Sequence, residues 1–108
     1  MVESLQPVEV SKRLGDPARK ILLLDVREPD ERAAARIDPS MHIPMNDVPS
    51  RLRELPHDRE LVVYCHHGTR SAMVAGFLEQ RGFRSVGNLT GGIDAWSADV
   101  DPSVPRYT

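Results

Sequence analysis

The chain has 108 residues, of which 40% are hydrophobic and 28% are charged, and its formal net charge is −2. This length and apolar content suit one buried core, so we expect a single domain over 1–108, with its core at about 6–97 and a tail over 98–108. The small net charge excludes a broad electrostatic attraction to nucleic acid or to an anionic membrane.

The predicted elements begin with a helix over about 7–14, because Pro7 is placed in the first turn of an apolar-faced segment. The stretch KILLLDVRE follows and predicts a buried strand. Four consecutive apolar residues, Ile21 to Leu24, are typical of a strand covered on both faces. EPDERAAARI is rich in helix-forming residues and predicts a second helix over about 29–36.

Predicted strands and helices also alternate in the middle of the chain. A short strand is expected near 42–43. NDVPSRLREL predicts a helix, since Asn46 or Asp47 can cap it and Pro49 suits its first turn. HDRELVVYC then contains a second strong strand, from Leu61 to Cys65.

The longest predicted helix lies in TRSAMVAGFLEQRGF, and Gly82 is placed where a glycine ends a helix. RSVGNL predicts a short strand, GGIDAWSA predicts a final helix, and DVDPSVPRYT either wraps the surface or frays. The alternation indicates an α/β domain with a mainly parallel sheet. Open sheets of this kind bind ligands beyond the carboxyl ends of their strands, where Asp25, Arg27 and Cys65 lie.

Cys65 is the only cysteine, and a short loop over 66–70 leads from it into the longest helix. Gly68 allows this loop to turn tightly, since glycine adopts positive φ without steric cost. A loop that enters a helix presents several backbone N–H groups to one point, which binds anions. Such surroundings, with Arg70 as the nearest cation in sequence, can lower a cysteine pKa from ~8.5 to ~3.5–7.5. The pattern therefore favours a nucleophilic thiolate or a persulfide.

Two other roles for Cys65 stay open at this point. A buried cysteine can act as a small apolar side chain. A metal site is disfavoured, because Cys65, His66 and His67 are adjacent and neighbouring side chains on a loop rarely converge on one ion. We therefore expect no metal.

Four segments in order carry a family resemblance. They are LLLDVREPDE (22–31), RIDPSMHIP (36–44), VVYCHHGTRS (62–71) and FLEQRGFRSVGNLTGGIDAW (77–96). Together they resemble a rhodanese-type sulfurtransferase domain over about 6–96. The resemblance implies the rhodanese-like α/β fold, which has a central, mainly parallel five-stranded sheet with helices on both faces.

The resemblance also implies a chemistry that needs no cofactor. Cys65 would take a sulfane sulfur from thiosulfate or another donor, hold it as a persulfide, and pass it to cyanide or a thiol. Asp25 and Arg27 would support the active-site loop and its charge. The residues expected to bind the substrate or persulfide are His66, His67, Gly68, Thr69, Arg70 and Ser71.

Three alternative functions accompany this expectation. The same loop would serve a persulfide carrier fed by a protein donor for cofactor or tRNA thiolation. Some rhodanese-like domains are non-catalytic binding modules, but these have lost the cysteine, which is present here. A phosphatase or arsenate reductase-like activity is disfavoured, because four residues separate Cys65 from Arg70 and the related phosphatases carry five.

The chain departs from the family pattern in two places. Arg36 stands where histidine is usual, and Pro39 and Ser40 stand where Gly-Ala is common, so a local change of the pocket rim is expected. The active-site loop carries His66 and His67 and no lysine. Histidines are mostly neutral at pH 7, which predicts a thiosulfate affinity that is weak and improves toward pH 6.

The N-terminus lacks a basic segment followed by an apolar run, so no signal peptide is expected. The longest apolar stretch is too short to span a bilayer. A single cysteine cannot form an intramolecular disulfide and suits a reducing compartment. We therefore expect a cytoplasmic monomer that acts on a small-molecule sulfur donor and acceptor, or on protein partners, and binds neither nucleic acid nor membranes.

Overall fold

The computed structural model describes residues 2–107. Its strands are β1 (Glu3–Leu5), β2 (Ile21–Asp25), β3 (Met41–His42), β4 (Glu60–Tyr64) and β5 (Val86–Leu89). Its helices are α1 (Pro7–Leu14), α2 (Pro29–Ala34), α3 (Thr69–Gln80) and α4 (Gly92–Asp99), with 3₁₀ helices at Met45–Ser50 and Leu52–Glu54.

The five strands form one sheet in the order β1-β5-β4-β2-β3, and every neighbouring pair is parallel. In its register, Leu23 lies opposite Val62, and Val62 lies opposite Gly87. The predicted five-stranded parallel sheet is thereby confirmed. Its edge strand β1 had not been located in the sequence, because three residues with two exposed side chains give no strand pattern.

Residues of the central strands alternate between two cores, one on each face of the sheet. Leu24, Val63 and Cys65 pack with residues of α3 and the 3₁₀ region. Leu23, Val62 and Tyr64 pack on the opposite side with residues of α1 and α4. This alternation explains the unbroken apolar run of β2 and β4, and it confirms helices on both faces.

Two predicted helices are shorter or tighter than expected. The helix over 29–36 ends at Ala34, because Ala35 is extended and is buried in the core together with Ile37. The helix in NDVPSRLREL is instead two 3₁₀ helices that meet at Arg51. Pro49 lacks the N–H that an α-helix would use there. The strand expected to end at Cys65 ends at Tyr64, which leaves Cys65 in the loop.

The described part of the segment after α4, residues 100–107, packs against the domain, and Thr108 of the predicted tail lies outside the described residues. Val104 is buried in the second core, and its carbonyl accepts a hydrogen bond of 2.6 Å from Ser97 Oγ. Three residues later, Tyr107 contacts Arg27, Glu31 and His66 at the candidate site. Between residues 2 and 107, no helix combines the length and the apolar content needed to cross a membrane.

Candidate active site

The sulfur of Cys65 lies inside the turn formed by the loop that follows β4. The backbone N–H of Gly68 points at Sγ over 3.1 Å and that of Ser71 over 3.4 Å. Ser71 Oγ is 3.3 Å from the same sulfur. Cys65 is only 1% exposed. A negative charge on this sulfur would therefore be stabilised by amide dipoles and by the N-terminus of α3.

Gly68 gives the loop its shape. Its φ of 103° lies in the left-handed region, and it directly precedes α3. A Cβ at this position would lie 3.3 Å from the backbone nitrogen of Gly91. Glycine is therefore required both by the backbone angle and by the close approach of a neighbouring segment.

Asn88, on β5, connects the two ends of this turn. Ser71 Oγ donates to Asn88 Oδ1 over 2.5 Å, and Asn88 Nδ2 donates to the Gly68 carbonyl over 3.2 Å. Asn88 was not singled out in the sequence, although it lies in the VGNL strand that precedes the double glycine. Its amide holds both residues whose N–H groups face the sulfur.

The N-terminus of α4 supports the loop from a second side. The Ile93 amide donates to the Cys65 carbonyl over 2.9 Å, and the Asp94 amide donates to the His66 carbonyl over 3.1 Å. Gly91 and Gly92 precede these residues with φ of 76° and 62°. A Cβ on Gly92 would overlap the carbonyls of both Cys65 and His66. The double glycine therefore permits a close backbone contact that no other residue allows.

Asp25 and Arg27 form a fully buried pair at the end of β2. Arg27 Nε and Nη2 donate to the two Asp25 oxygens over 2.9 and 2.8 Å. Burial alone would raise the pKa of Asp25 and lower that of Arg27. The hydrogen bonds between them outweigh burial, so the pKa of Asp25 is lowered and that of Arg27 is raised.

The contacts of Arg27 show how it could support the active-site loop. The remaining guanidinium donors reach the carbonyls of Glu31 and Ala35 and the hydroxyl of Tyr107. All five N–H groups of Arg27 are thereby used. None is left for the loop, so Arg27 and its partner Asp25 brace the end of α2 and reach the loop only through Glu31 and Tyr107.

Arg70 is held by α2 and makes no hydrogen bond to the sulfur. Its Nη1 and Nη2 donate to the two Glu31 oxygens over 2.6 and 2.8 Å. These bonds lower the pKa of Glu31 to about 2 and raise the pKa of Arg70, which negative charge on Cys65 raises further. Arg70 can thus attract a charged sulfur while it is itself fixed in place.

The two loop histidines stack on each other. The His66 ring lies between His67, at a centroid distance of 3.9 Å, and Tyr107, at 4.0 Å. His66 Nε2 is buried and has no hydrogen-bond partner among residues 2–107. Burial, followed by the neighbouring His67, lowers the pKa of His66, so this imidazole stays neutral at pH 7.

A cluster of His66, His67 and Asp94 brings three possible ligand atoms within 4.8 Å of one another. The two adjacent histidines thus come together beside α4, whereas a convergence of Cys65, His66 and His67 on one ion does not occur among residues 2–107. However, Arg106 donates to both Asp94 oxygens over 2.9 and 3.0 Å. A metal ion would have to displace this guanidinium, and Cys65 is not part of the cluster.

The predicted loop residues thus divide into two groups. Gly68 and Ser71 contact the sulfur of Cys65 directly. Thr69 is exposed at the start of α3, and His66, His67 and Arg70 point to neighbouring groups around the loop.

Comparisons with known proteins find similar sequences over almost the whole chain. The sequence profile of the family described as Rhodanese-like domain matches residues 6–99. A protein named Sulfurtransferase from Allochromatium vinosum is 40% identical over 104 residues, which are 96% of each chain. Putative sulfurtransferase YtwF from Bacillus subtilis is 39% identical over 83 residues, covering 77% of this chain and 80% of that protein.

Solved structures show the same likeness in three dimensions. The crystal structure of a rhodanese-related protein from Thermoplasma volcanium superposes with a TM-score of 0.84 and 30% sequence identity. The match covers 97% of this chain and 99% of the other.

Proposed function

The chain belongs to the rhodanese-like domain family, and we propose that Cys65 carries a transferred sulfur as a persulfide. Two proteins similar to this chain are named as a sulfurtransferase and a putative sulfurtransferase, which supports the proposal. The donor is thiosulfate or another sulfane-sulfur compound, and the acceptor is cyanide or a thiol. One observation carries the proposal: the only cysteine is placed inside a turn whose N–H groups point at its sulfur.

The reaction proceeds in two displacements that need no external oxidant or reductant. The Cys65 thiolate attacks the outer sulfur of thiosulfate, and the bond to the sulfonate sulfur breaks with its electron pair leaving as sulfite. The acceptor then attacks the outer sulfur of the persulfide. That sulfur–sulfur bond breaks, and the electron pair returns to Cys65 as thiolate.

The surrounding residues stabilise the charge at each stage. The N–H groups of Gly68 and Ser71 face the sulfur of Cys65 and would hold its negative charge. Ser71 Oγ donates its one proton to Asn88 Oδ1, and this bond holds the Ser71 N–H in position beside the sulfur. Because these groups are fixed before the reaction, they need no reorganisation when charge moves onto or off the sulfur.

A second candidate is a persulfide carrier loaded by a protein or thiol-bound donor. The observation that favours it is the charge around the loop. Arg70 is the only arginine or lysine between Cys65 and Ser71, and Glu31 neutralises it in a bidentate pair. His66 is neutral. A thiosulfate dianion therefore meets little free positive charge, whereas a donor that carries its sulfur on a protein can be held by contacts between the two proteins.

The intact mass of the protein after incubation with thiosulfate tests the covalent step. We expect a gain of one sulfur atom that cyanide removes with release of thiocyanate. Cys65→Ser should show no gain and should lower turnover by roughly 10³-fold or more, as removal of a nucleophile does. If Cys65 reacts with an alkylating reagent yet gains no sulfur from thiosulfate, the thiosulfate route is excluded. Gain from a desulfurase-bound persulfide would then support the carrier function.

A further inference from the structure

The chain segment over 103–107, named here the C-terminal wall, lies against the active-site loop. It is anchored at its start, because Val104 is buried and its carbonyl accepts the Ser97 hydroxyl. It is fixed near its end, because Arg106 forms a bidentate ion pair with Asp94 on α4. Asp94 also lies 3.8 Å from His67 Nε2, so this pair sits beside the loop.

Tyr107 joins three parts of the site. Its hydroxyl donates to Glu31 Oε2 over 2.8 Å and accepts from Arg27 Nη1 over 2.9 Å. Its ring stacks on His66 with an interplanar angle of 11°. Burial raises the pKa of Tyr107 to about 12, so the hydroxyl keeps its proton and its bond to Glu31 at neutral pH.

These contacts place the ring beside the active-site loop. His66 directly follows Cys65, and Arg70 lies at the other end of the turn. Tyr107 contacts His66 directly and reaches Arg70 through Glu31. The two ends of the turn that surrounds the buried sulfur are therefore connected through this one aromatic side chain.

The stack on His66 has a physical reason to be stable. The neutral imidazole lies nearly parallel to the Tyr107 ring at a centroid distance of 4.0 Å, so the two rings pack face to face without burial of a charge. Arg27 also places its guanidinium carbon 5.7 Å from the Tyr107 ring centroid. The ring thus packs on the loop and does not swing freely in solvent.

We propose that Tyr107 is a specificity-determining residue, which limits access to Cys65 by the size of the reactant while the C-terminal wall is docked. Small reactants such as thiosulfate and cyanide reach the sulfur past the docked ring. A macromolecular thiol reaches it only when Tyr107 and the Arg106–Asp94 pair separate from the loop. This role in sulfur transfer rests on the proposed function, but the size limit itself concerns only access to the thiol.

The test compares alkylation of Cys65 by two reagents of the same chemistry, N-ethylmaleimide and a maleimide carrying a 5-kDa polyethylene glycol chain. In Tyr107→Ala we expect the rate with the large reagent, relative to the small one, to rise about tenfold, because one aromatic stack and its hydrogen bonds no longer hold the docked state. Arg106→Ala should raise the ratio in the same direction, about threefold, since an exposed ion pair contributes less. Arg53→Ala, which removes an exposed arginine on the second 3₁₀ helix, is the matched control and should leave the ratio unchanged.

An unchanged ratio in folded Tyr107→Ala overturns the proposal, and so does an equal increase of both rates, which would mean general loosening of the loop. If Tyr107→Ala does not fold, Arg106→Ala decides by the same criterion. Because alkylation needs no persulfide, a size effect without sulfur gain would refute only the proposed function. Sulfur gain without a size effect would refute only the role of Tyr107.

Discussion

The two sides of the candidate site are built in different ways. On one side, backbone groups of the Cys65 loop and of the α4 N-terminus form a fixed cradle around the sulfur. On the other side, Arg106 and Tyr107 of the C-terminal wall attach to Asp94, Glu31 and His66 through an ion pair, a hydrogen bond and ring stacking. The first kind of construction depends on backbone angles that few residues adopt, and the second on contacts that many residues could make.

Because the two sides are built differently, we expect the cradle to affect the sulfur chemistry and the C-terminal wall to affect access to the sulfur. Because the cradle leaves no room for a Cβ at Gly92 and requires positive φ at Gly68, small changes there move the groups that hold charge. The C-terminal wall contacts the same loop. Changes in the wall are therefore expected to alter which reactants gain access to the sulfur more than the rate of sulfur transfer itself. The predictions below test this difference between the cradle and the C-terminal wall, beginning with the cradle.

The largest effect is expected from Gly92→Ala, which should lower the free energy of unfolding by about 2–4 kcal/mol. An L residue at positive φ costs roughly 1–2 kcal/mol, and the overlap with the carbonyls of Cys65 and His66 adds a packing cost. Sulfur-transfer activity should fall with it, since those carbonyls position the loop. Urea unfolding and a thiosulfate–cyanide assay measure both quantities.

Gly76→Ala provides the matched control for this substitution. Gly76 lies within α3, and a Cβ there would meet nothing within 4 Å. The change should stabilise the protein by about 0.5–1 kcal/mol, because alanine loses less backbone entropy in a helix than glycine. A Gly92→Ala protein as stable as the wild type would show that the cradle can shift, and would remove the distinction between cradle and wall.

The cradle could be predicted from the sequence better than the C-terminal wall. The strands β2 and β4, the helix after Cys65 and the need for Gly68 are local properties, which periodicity and a short motif express. The contacts of the C-terminal wall are not local in sequence, because Tyr107 is 76 residues from its hydrogen-bond partner Glu31. No pattern near DVDPSVPRYT indicates that contact, so the segment could be predicted only to wrap or fray.

Asn88 and Arg27 show two intermediate cases. Asn88 follows from the fold once β5 is known to lie beside β4, but nothing in VGNL tells which loop atoms its amide reaches. Arg27 lies near a strand end as predicted, but the route by which it supports the loop could not be predicted, because burial and five acceptors are properties of the folded state. The place of a residue in the fold is thus easier to predict from nearby sequence than the groups that its side chain contacts.

Next in size is Ser71→Ala, which should lower kcat/KM for thiosulfate roughly tenfold. The substitution removes the hydroxyl 3.3 Å from the sulfur and leaves Asn88 Oδ1 without that donor, but it keeps the Ser71 N–H. Asn88→Ala should act in the same direction. Because the two side chains are bonded, the double variant should lose about 1 kcal/mol less than the sum of the single losses.

Ser50→Ala is the control for the loss of a serine hydroxyl, since Ser50 Oγ donates to a backbone carbonyl at an exposed position. It should leave kcat/KM unchanged. Strict additivity between Ser71→Ala and Asn88→Ala would mean that Asn88 acts on the loop by some route other than the Ser71 hydroxyl.

Glu31→Gln probes the junction of cradle and wall through the dependence of stability on pH. The pKa of Glu31 is about 2 in the folded protein, against an ordinary value of 4.5. As the pH falls below 4.5, the unfolded chain binds the proton first, so stability is lost between about pH 5 and pH 2. The wild type should exceed the variant by about 1 kcal/mol near pH 7, allowing for solvent screening of a partly exposed pair, and the difference should vanish toward pH 2.

Glu54→Gln is the appropriate comparison, because Glu54 pairs with Arg51 in a similar bidentate way at an exposed position. It should leave stability nearly unchanged over the same pH range, because the pair is fully exposed and solvent screens it. If the two variants behave alike, the Glu31–Arg70 pair contributes no more than a surface ion pair, and the wall is attached to the loop more weakly than its distances indicate.

The smallest effect concerns the histidines of the loop and the Michaelis constant for thiosulfate. Burial and the neighbouring His67 lower the pKa of His66, so this imidazole gains its proton at a lower pH than an ordinary histidine, and Tyr107 covers it. His66 should therefore offer little positive charge to thiosulfate between pH 8 and pH 7, and the thiosulfate KM should change by less than about twofold over this range. His66→Gln should leave KM in this range unchanged, whereas a several-fold rise in KM would mean that His66 supplies positive charge to the donor.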